Sequence, residues 1–262
     1  MILLRGLTVV LGGRIVLSSL SAVLEGNTVI LGPNGSGKTT LLKTIVGLYK
    51  PASGIIEIEG VNVTGASTPP KLVSTNIESV YMLPGVELRD IIDMYCAVFQ
   101  CDYNRLQNLL SYIRPKARVL WRLSAGEKKW VTTALALCAN TRVVLLDEPL
   151  EDLDPWLAKR LMDEIKEASR KKQVVLTLHS IYFLKELDDW DVFLMFDGSL
   201  YGPIKSARIF NMRLVRGREP NATLVVRIRG RDYSLVEGGE SEGVALRDMA
   251  DLTNLYKVSY FE

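Results

Sequence analysis

The residues with the clearest chemistry form a glycine-rich turn between an apolar run and a helical pattern. Residues 32–39, GPNGSGKT, fit the phosphate-binding pattern G-x-x-x-x-G-K-[ST]. Glycines allow backbone N–H groups to curl around phosphate oxygens without a Cβ in the way. Lys38 would then supply a positive charge for the β- and γ-phosphates, and Thr39 a hydroxyl for Mg²⁺. Residues 28–31 predict a strand before the turn, and residues 40–46 predict a helix after it, with its N-terminus facing the anion.

Two carboxylates follow an apolar run farther along the chain. Residues 143–146 are Val-Val-Leu-Leu without polar alternation, which is typical of a parallel strand buried on both faces. Asp147 and Glu148 come directly after it, where ligands bind in open α/β sheets. We expect Asp147 to hold Mg²⁺ and Glu148 to accept a proton from an attacking water. Alone, the same pattern would equally describe a strand capped by two solvated acids.

The protein contains one histidine, and it also follows a buried-strand pattern. His179 directly follows the run at residues 174–178. A single histidine is more often structural, but this one is predicted at the sheet edge that carries the ligand site. We therefore expect it to sense the γ-phosphate.

A capping pattern precedes a third segment. Ser124 and Glu127 have the spacing of a capping box in front of a helix over residues 128–137. Taken alone, this pattern predicts a structural helix start. A helix N-terminus capped by serine and glycine is also an anion site.

Together these segments resemble the ATP-binding cassette (ABC) ATPases. That family carries a P-loop, an LSGGQ-type signature, a Walker B strand followed by Glu, a D-loop and a switch histidine, and all five occur here in order. Residues 123–127, LSAGE, resemble the signature with Ala and Glu at its third and fifth places. Residues 151–154, EDLD, resemble the D-loop, with Asp154 in its aspartate place. The resemblance covers about residues 1–210.

The resemblance implies an α/β fold: a P-loop NTPase with an ABC-type antiparallel β-subdomain, a helical insert and a small C-terminal α+β appendage. It implies ATP and Mg²⁺ as ligands, and a two-fold dimer in which each signature meets the nucleotide of the other protomer. The residues implied to contact ATP are Asn34, Gly35, Ser36, Gly37, Lys38, Thr39 and Thr40, with Ser124, Gly126, Glu127 and Asp154 acting across the dimer. The implied catalytic residues are Lys38, Glu148 and His179, and the implied metal ligands are Thr39 and Asp147.

Two positions depart from the family pattern. The place where an aromatic side chain usually stacks on adenine holds Leu11, which keeps apolar contact but loses the π-stack. The Q-loop lacks its glutamine, and counting back from residues 83–90 places Glu78 there, with Asn76 as the alternative. Glu78 could ligate Mg²⁺ or be an ordinary exposed loop acid.

Organisation follows from changes in the pattern. Residues 1–210 form the predicted nucleotide-binding domain, with short strands early and a helical insert at about residues 85–137. Residues 211–262 form the predicted extension, which contains a hairpin turning near Gly230 and a helix through Leu246, Met249, Leu252 and Leu255. A row of arginines on that hairpin fits a solvated strand face.

Composition favours an intracellular protein. The 262 residues are 48% hydrophobic and 24% charged, with a formal net charge of +2, so no nucleic-acid partner is expected. The three cysteines form no metal-binding spacing and predict reduced thiols. No apolar stretch is long enough to span a bilayer, and the N-terminus resembles an opening strand instead of a signal peptide.

The sequence therefore predicts the ATP-hydrolysing subunit of an ABC transporter. Its expected partners are a second ABC ATPase protomer, identical or different, and an integral membrane permease that would hold it at the cytoplasmic face of the cell membrane. The alternative is a soluble ABC ATPase of cofactor assembly, translation or DNA repair. The single cassette and short insert favour transport, because translation-type members commonly carry two cassettes and repair-type members a long coiled coil.

Overall fold

The computed structural model describes residues 1–66, 68–69, 71–113, 115, 117–238, 243–249 and 252–256, except for the side chains of residues 254 and 255. The chain forms two compact units. The first contains Met1–Ala66 and Thr177–Glu262, and the second contains Ser67–Leu176. The two units do not divide at residue 210, because residues on both sides of it belong to the first unit. The predicted domain boundary there stays a prediction.

The first unit begins with an antiparallel sheet of order β2-β1-β4-β5. Gly12 and Gly13 have φ of 57° and 76°, the left-handed values that a tight hairpin between β1 and β2 requires. The following strand, β3, is buried along its whole length, as its apolar run predicts. The elements are β1 (Ile2–Leu11), β2 (Arg14–Leu24), β3 (Thr28–Leu31), α1 (Lys38–Ile45), β4 (Ser53–Ile58) and β5 (Val61–Asn62).

The second unit combines three parallel strands with helices. Its strands pair in the order β6-β7-β8, and every residue of β7 is buried, which confirms the predicted buried parallel strand. The elements are β6 (Val73–Thr75), α2 (Leu88–Phe99), α3 (Tyr103–Ser111), α4 (Ala125–Cys138), β7 (Val143–Leu146), α5 (Pro155–Ser169) and β8 (Gln173–Leu178), whose last two residues belong to the first unit.

The helices α2, α3 and α4 share an apolar core. Trp130 is fully buried there, and its indole N–H donates to Leu109 O at 2.8 Å, so the polar edge of the ring is satisfied. Tyr95 and Phe99 stack with ring centroids 4.2 Å apart. Tyr95 and Phe99 of the predicted insert therefore pack against each other, and the centroid of the Trp130 ring lies 5.9 Å from that of Tyr112.

The first unit resumes after β8. Strand β9 pairs in parallel with β3 and antiparallel with β10, and the last four strands form a sheet of order β12-β13-β11-β14. The predicted hairpin near Gly230 is confirmed. The elements are β9 (Asp191–Phe196), β10 (Ser199–Lys205), α6 (Ser206–Ile209), β11 (Met212–Arg216), β12 (Leu224–Ile228), β13 (Arg231–Glu237) and β14 (Val244–Ala245).

The helix predicted through Leu246 and Leu255 is replaced by two short 3₁₀ segments, Leu246–Asp248 and Leu252–Tyr256. Met249 has extended backbone, which ends the first of them, and residues 250–251 and the Leu255 side chain lie outside the described residues. Among the helices that the structure describes, none has the length and apolar content to cross a membrane.

Candidate nucleotide site

The glycines of the P-loop are required by close packing and backbone angles. A Cβ on Gly32 would lie 2.3 Å from Met195 O, and Gly37 adopts φ 111° as the N-cap of α1. Residues with a Cβ atom rarely adopt a φ of this value, so glycine is favoured at position 37. Helix α1 therefore starts at Lys38, two residues before the predicted start, because the left-handed turn at Gly37 ends there.

Lys38 points back into its own loop. Its side chain is buried, with 4% exposure, and Nζ donates to Gly32 O at 2.8 Å and to Pro33 O at 3.1 Å. Both of these partners are neutral main-chain oxygen atoms. A phosphate there would face a cation and the N-terminus of α1 together.

Ser36 gives the loop an unpaired polar atom. The residue is 1% exposed, and its Oγ has no hydrogen-bond partner in the part of the chain that the structure describes. A buried hydroxyl without a partner is costly and indicates a missing ligand or water. The loop thus fits a phosphate group by its amides, its charge and this hydroxyl. Of the other predicted ATP contacts, Asn34, Gly35 and Thr39 are exposed, and Thr40 is half-buried.

His179 lies at a strand end next to the P-loop. Gly32 N donates to Leu178 O at 3.0 Å, which joins the start of the loop to the end of β8. His179 follows directly and is half-buried. The structure therefore brings the single histidine to the P-loop edge.

Leu11 ends β1, paired with Arg14 across the hairpin, and is half-buried. Its assignment to the adenine ring stays a prediction.

In the second unit, the main chain of Asp147 is held from two sides. Asn76 is 3% exposed, and its Oδ1 accepts from Asp147 N at 2.6 Å while its Nδ2 donates to Asp147 O at 3.3 Å. Lys129 Nζ donates to the same oxygen at 3.0 Å. These contacts fix the backbone that carries the two carboxylates at the end of β7.

Glu148 has an unusual backbone. Its φ is 44°, in the left-handed region that non-glycine residues rarely adopt. Such strain persists only when surrounding contacts impose it, and it concentrates at functional sites. The conformation therefore supports a functional role for this residue.

The two Q-loop candidates have different surroundings. Glu78 starts a 3₁₀ turn and forms an ion pair with Lys128 at 3.3 Å, with 46% of its side chain exposed. Asn76 is the residue that contacts the Walker B backbone. The contacts favour Asn76 as the residue that positions Asp147, and Glu78 as a metal ligand stays a prediction.

The signature segment forms the predicted capping box. Ser124 Oγ accepts from Glu127 N at 3.2 Å, and Glu127 Oε2 accepts from Ser124 N at 2.9 Å. Gly126 lies against the D-loop, where a Cβ would come 2.4 Å from Asp152 O. Glycine is therefore needed at 126 for this packing as well as for any approach to an anion.

Asp154 caps α5. Its Oδ1 accepts from the backbone N–H groups of Trp156 and Leu157, both at 3.0 Å, with Pro155 at the first helical position. The side chain thus has a structural task in addition to the proposed link between two sites.

The structure adds a segment that sequence reasoning missed. Asn34 N donates to Thr253 Oγ1 at 3.3 Å, and Leu252 N donates to His179 O at 3.1 Å. Asn34 and Thr253 are separated by 219 in residue number, so the sequence contains no local signal for this contact.

A buried strand, a glycine-rich turn that fits an anion and a helix that begins at a buried lysine define a P-loop nucleotide-binding protein. Residues 18–151 match the family model described as ABC transporter. The chain belongs to this family.

Relatives and solved structures agree with this membership. The phosphonates import ATP-binding protein of Hydrogenovibrio crunogenus is 31% identical over 62% of this chain and 66% of its own length. A crystal structure assigned as a cobalt transport ATP-binding protein has a TM-score of 0.85 and 29% identity, and the match covers 98% of this chain and 100% of that one. A bacterial ABC transporter cassette solved as a dimer has a TM-score of 0.67, with 79% of this chain and 99% of that chain covered, and at 21% identity it shows the fold.

The matches cover two thirds or less of the length of several curated relatives, 66%, 53% and 20% in three of them.

Proposed function

We propose that this protein is the ATP-binding and ATP-hydrolysing subunit of an ABC membrane transporter. The observation that carries the proposal is the P-loop, in which the buried ammonium group of Lys38 and the unpaired hydroxyl of Ser36 face the same turn. Family membership supports ATP as the nucleotide.

Mg²⁺ is the proposed metal. The donor set fits it chemically, because Thr39 offers a hydroxyl and Asp147 a carboxylate, and oxygen ligands are those that Mg²⁺ prefers. Mg²⁺ would neutralise charge on the phosphates. Asn76 would hold the Asp147 backbone in place for this task, and Glu78 is the further ligand to test.

Three residues are proposed to act in hydrolysis. Lys38 would stabilise negative charge on the phosphate oxygens. Glu148, whose backbone has the left-handed φ of 44°, would accept a proton from the attacking water. His179, at the P-loop edge, would contact the γ-phosphate.

The active form is proposed to be a two-fold dimer. Ser124, Gly126 and Glu127 at the capped start of α4 would meet the nucleotide of the other protomer, and Asp154 would link the two sites. The dimeric cassette of the same fold supports this arrangement. The second protomer can be identical, since all proposed site residues are present here, or a different ABC ATPase.

An integral membrane permease is the other proposed partner, and the protein would lie at the cytoplasmic face of the membrane bound to it. The relatives that are import ATP-binding proteins favour this function over a soluble ABC ATPase of cofactor assembly, translation or DNA repair. Affinity capture from detergent-solubilised native membranes separates the two. A stoichiometric multi-span membrane protein supports transport, whereas recovery with ribosomal or repair proteins overturns it.

The substitution Glu148→Gln tests the ATPase mechanism. The amide fits the same space but cannot take a proton, so we expect phosphate release to fall by about 10²–10⁴-fold while ATP binding persists. Light scattering should then find a stable dimer at saturating Mg·ATP. The matched control is Glu167→Gln, a half-buried glutamate on α5 that pairs with Arg170. A Glu148→Gln protein that stays monomeric with ATP would contradict the dimer model.

A further inference from the structure

Residues 252–256 lie on the P-loop edge of the first unit. Leu252 anchors this segment because its side chain is buried, with 1% exposure, and its N–H donates to His179 O at 3.1 Å. The next residue, Thr253, accepts the Asn34 N–H through Oγ1 at 3.3 Å. One short segment therefore contacts both the phosphate-binding loop and the histidine at its edge. We refer to residues 252–256 as the strap.

The last residue of the strap, Tyr256, forms hydrogen bonds with Asp197. Tyr256 OH donates to Asp197 Oδ1 at 2.9 Å and accepts from Asp197 N at 3.1 Å. The Arg229 guanidinium lies 5.1 Å from the centre of the tyrosine ring. Burial raises the pKa of Tyr256 to about 12, so the hydroxyl remains a neutral donor at physiological pH.

Asp197 connects this contact to the P-loop. It precedes Gly198 in the turn between β9 and β10, and Gly198 N donates to Ser36 O at 2.9 Å. Gly198 also packs tightly, since a Cβ there would lie 2.1 Å from Val16 O. The strap thus holds the loop directly through Asn34 and indirectly through this turn.

We propose that the strap is an autoinhibitory element that binds the Asn34 N–H at the edge of the P-loop and must leave before a second protomer can dock there. This inference rests on the proposed function, because it concerns the ATP-driven dimer. Asn34 and Gly35 are exposed, so their edge of the loop is where another chain would approach. The Asn34 N–H bonded to Thr253 Oγ1 cannot at the same time donate to a phosphate or to a docking helix.

Each hydrogen bond of the strap supplies only part of the free energy that holds it, in addition to the burial of the Leu252 side chain. One net hydrogen bond changes an equilibrium by about twofold to tenfold. A ligand with a higher affinity for the open form can displace such a segment. Removing one of its hydroxyls should therefore favour the dimer by a similar factor.

Two variants weaken the strap with little change in volume. Thr253→Val removes the acceptor of the Asn34 N–H, and Tyr256→Phe removes the hydroxyl on Asp197. The control is Tyr103→Phe, an exposed tyrosine on α3 in the second unit. All three are made in the Glu148→Gln protein, and light scattering measures the Mg·ATP concentration that gives half-maximal dimer. We expect it to fall about threefold to tenfold in both strap variants and to stay constant in the control.

Hydrogen exchange in the Glu148→Gln protein gives a second measurement that does not depend on turnover. On addition of Mg·ATP, amides of residues 252–256 should exchange faster while those of the P-loop become protected. If the amides of the strap instead exchange more slowly on addition of Mg·ATP, or if the variants need more ATP to dimerise, the strap is part of the nucleotide site and the proposal is overturned. An unchanged ATP requirement in both variants would overturn it too. If the Glu148→Gln parent neither binds ATP nor dimerises, the proposed function fails first.

Discussion

Backbone contacts explain why the acidic residues at the end of β7 are placed so firmly. Asn76 holds both the N–H and the C=O of Asp147, and Lys129 adds a third contact. The next residue, Glu148, then takes a left-handed backbone. A conformation of this kind costs about 1–3 kcal/mol, which the surrounding contacts must offset. Asn76 is therefore a positioning residue whose effect should reach Asp147 and Glu148 together.

Asn76 and Glu78 can be separated by substitution. We expect Asn76→Ala to reduce the free energy of unfolding by about 1–3 kcal/mol, because it removes the hydrogen bonds of Asn76 to the Asp147 N–H and to the Thr133 hydroxyl. Glu78→Gln removes one exposed ion pair with Lys128 and should change stability by about 1 kcal/mol or less. Urea unfolding measures both.

The Mg²⁺ concentration needed for half-maximal ATPase activity then decides the metal assignment. If Glu78 is a ligand, Glu78→Gln should raise that concentration at unchanged stability. If only the Asn76 variant affects the metal requirement, Glu78 is an ordinary loop acid. Equal stability of Asn76→Ala and the parent protein would contradict the positioning role.

Local capping signals predict where helices lie, but not their first residue. The capping box predicted at Ser124 is confirmed, and α4 begins at Ala125, three residues before the predicted helix over residues 128–137. The strand–turn–helix of the P-loop and the buried strand β7 were likewise predictable, since their periodicity is contained within a few residues. The strap was not, because Leu252, Thr253 and Tyr256 find their partners far away in sequence.

Capping alone does not distinguish a signature helix from any other helix, and the chain contains a matched pair for this question. Ser124 caps α4, and Asp102 caps α3 through a hydrogen bond from Arg105 N at 3.0 Å. Replacing either with alanine should reduce stability by about 1 kcal/mol. We expect only Ser124→Ala to reduce ATP-driven dimerisation of the Glu148→Gln protein by tenfold or more.

Light scattering against Mg·ATP concentration measures dimerisation, and urea unfolding gives the stability of both variants. Similar dimerisation of Ser124→Ala and Asp102→Ala at matched stability would leave Ser124 with a purely structural role.

At the scale of the whole molecule, the net charge bears on the choice of partners, and the buried ionisable groups bear on the pH dependence of stability. A formal net charge of +2 gives no strong long-range field, so partner choice depends on local surfaces. Buried thiols and phenols in the second unit instead determine how stability changes with pH. Burial raises the pKa values of Tyr81, Tyr95, Cys101 and Cys138.

Stability should therefore fall in alkaline solution. Burial raises the pKa of Cys138 to about 12, whereas a thiol in the unfolded chain loses its proton near about 8.5. Above that pH the unfolded state binds fewer protons than the folded state, so the free energy of unfolding decreases as pH rises towards 12. Burial lowers the pKa of Lys172, so the folded state loses this proton at a lower pH than the unfolded state. This contribution makes the free energy of unfolding rise with pH, and it therefore reduces the net loss of stability.

Comparison with a variant that lacks the thiol isolates this contribution. Between pH 7.5 and pH 10, in reductant, we expect the parent protein to lose about 1 kcal/mol more than Cys138→Ala, a figure that allows for partial solvent access to the thiol. Ser74→Ala is the control, since it also removes a buried group, a hydroxyl bonded to Ala136 O at 2.8 Å, but one that does not ionise in this range. Its pH slope should equal that of the parent protein. Urea unfolding at the two pH values measures all three, and equal losses in the parent and Cys138→Ala would mean that the Cys138 thiol ionises as freely in the folded protein as in the unfolded chain.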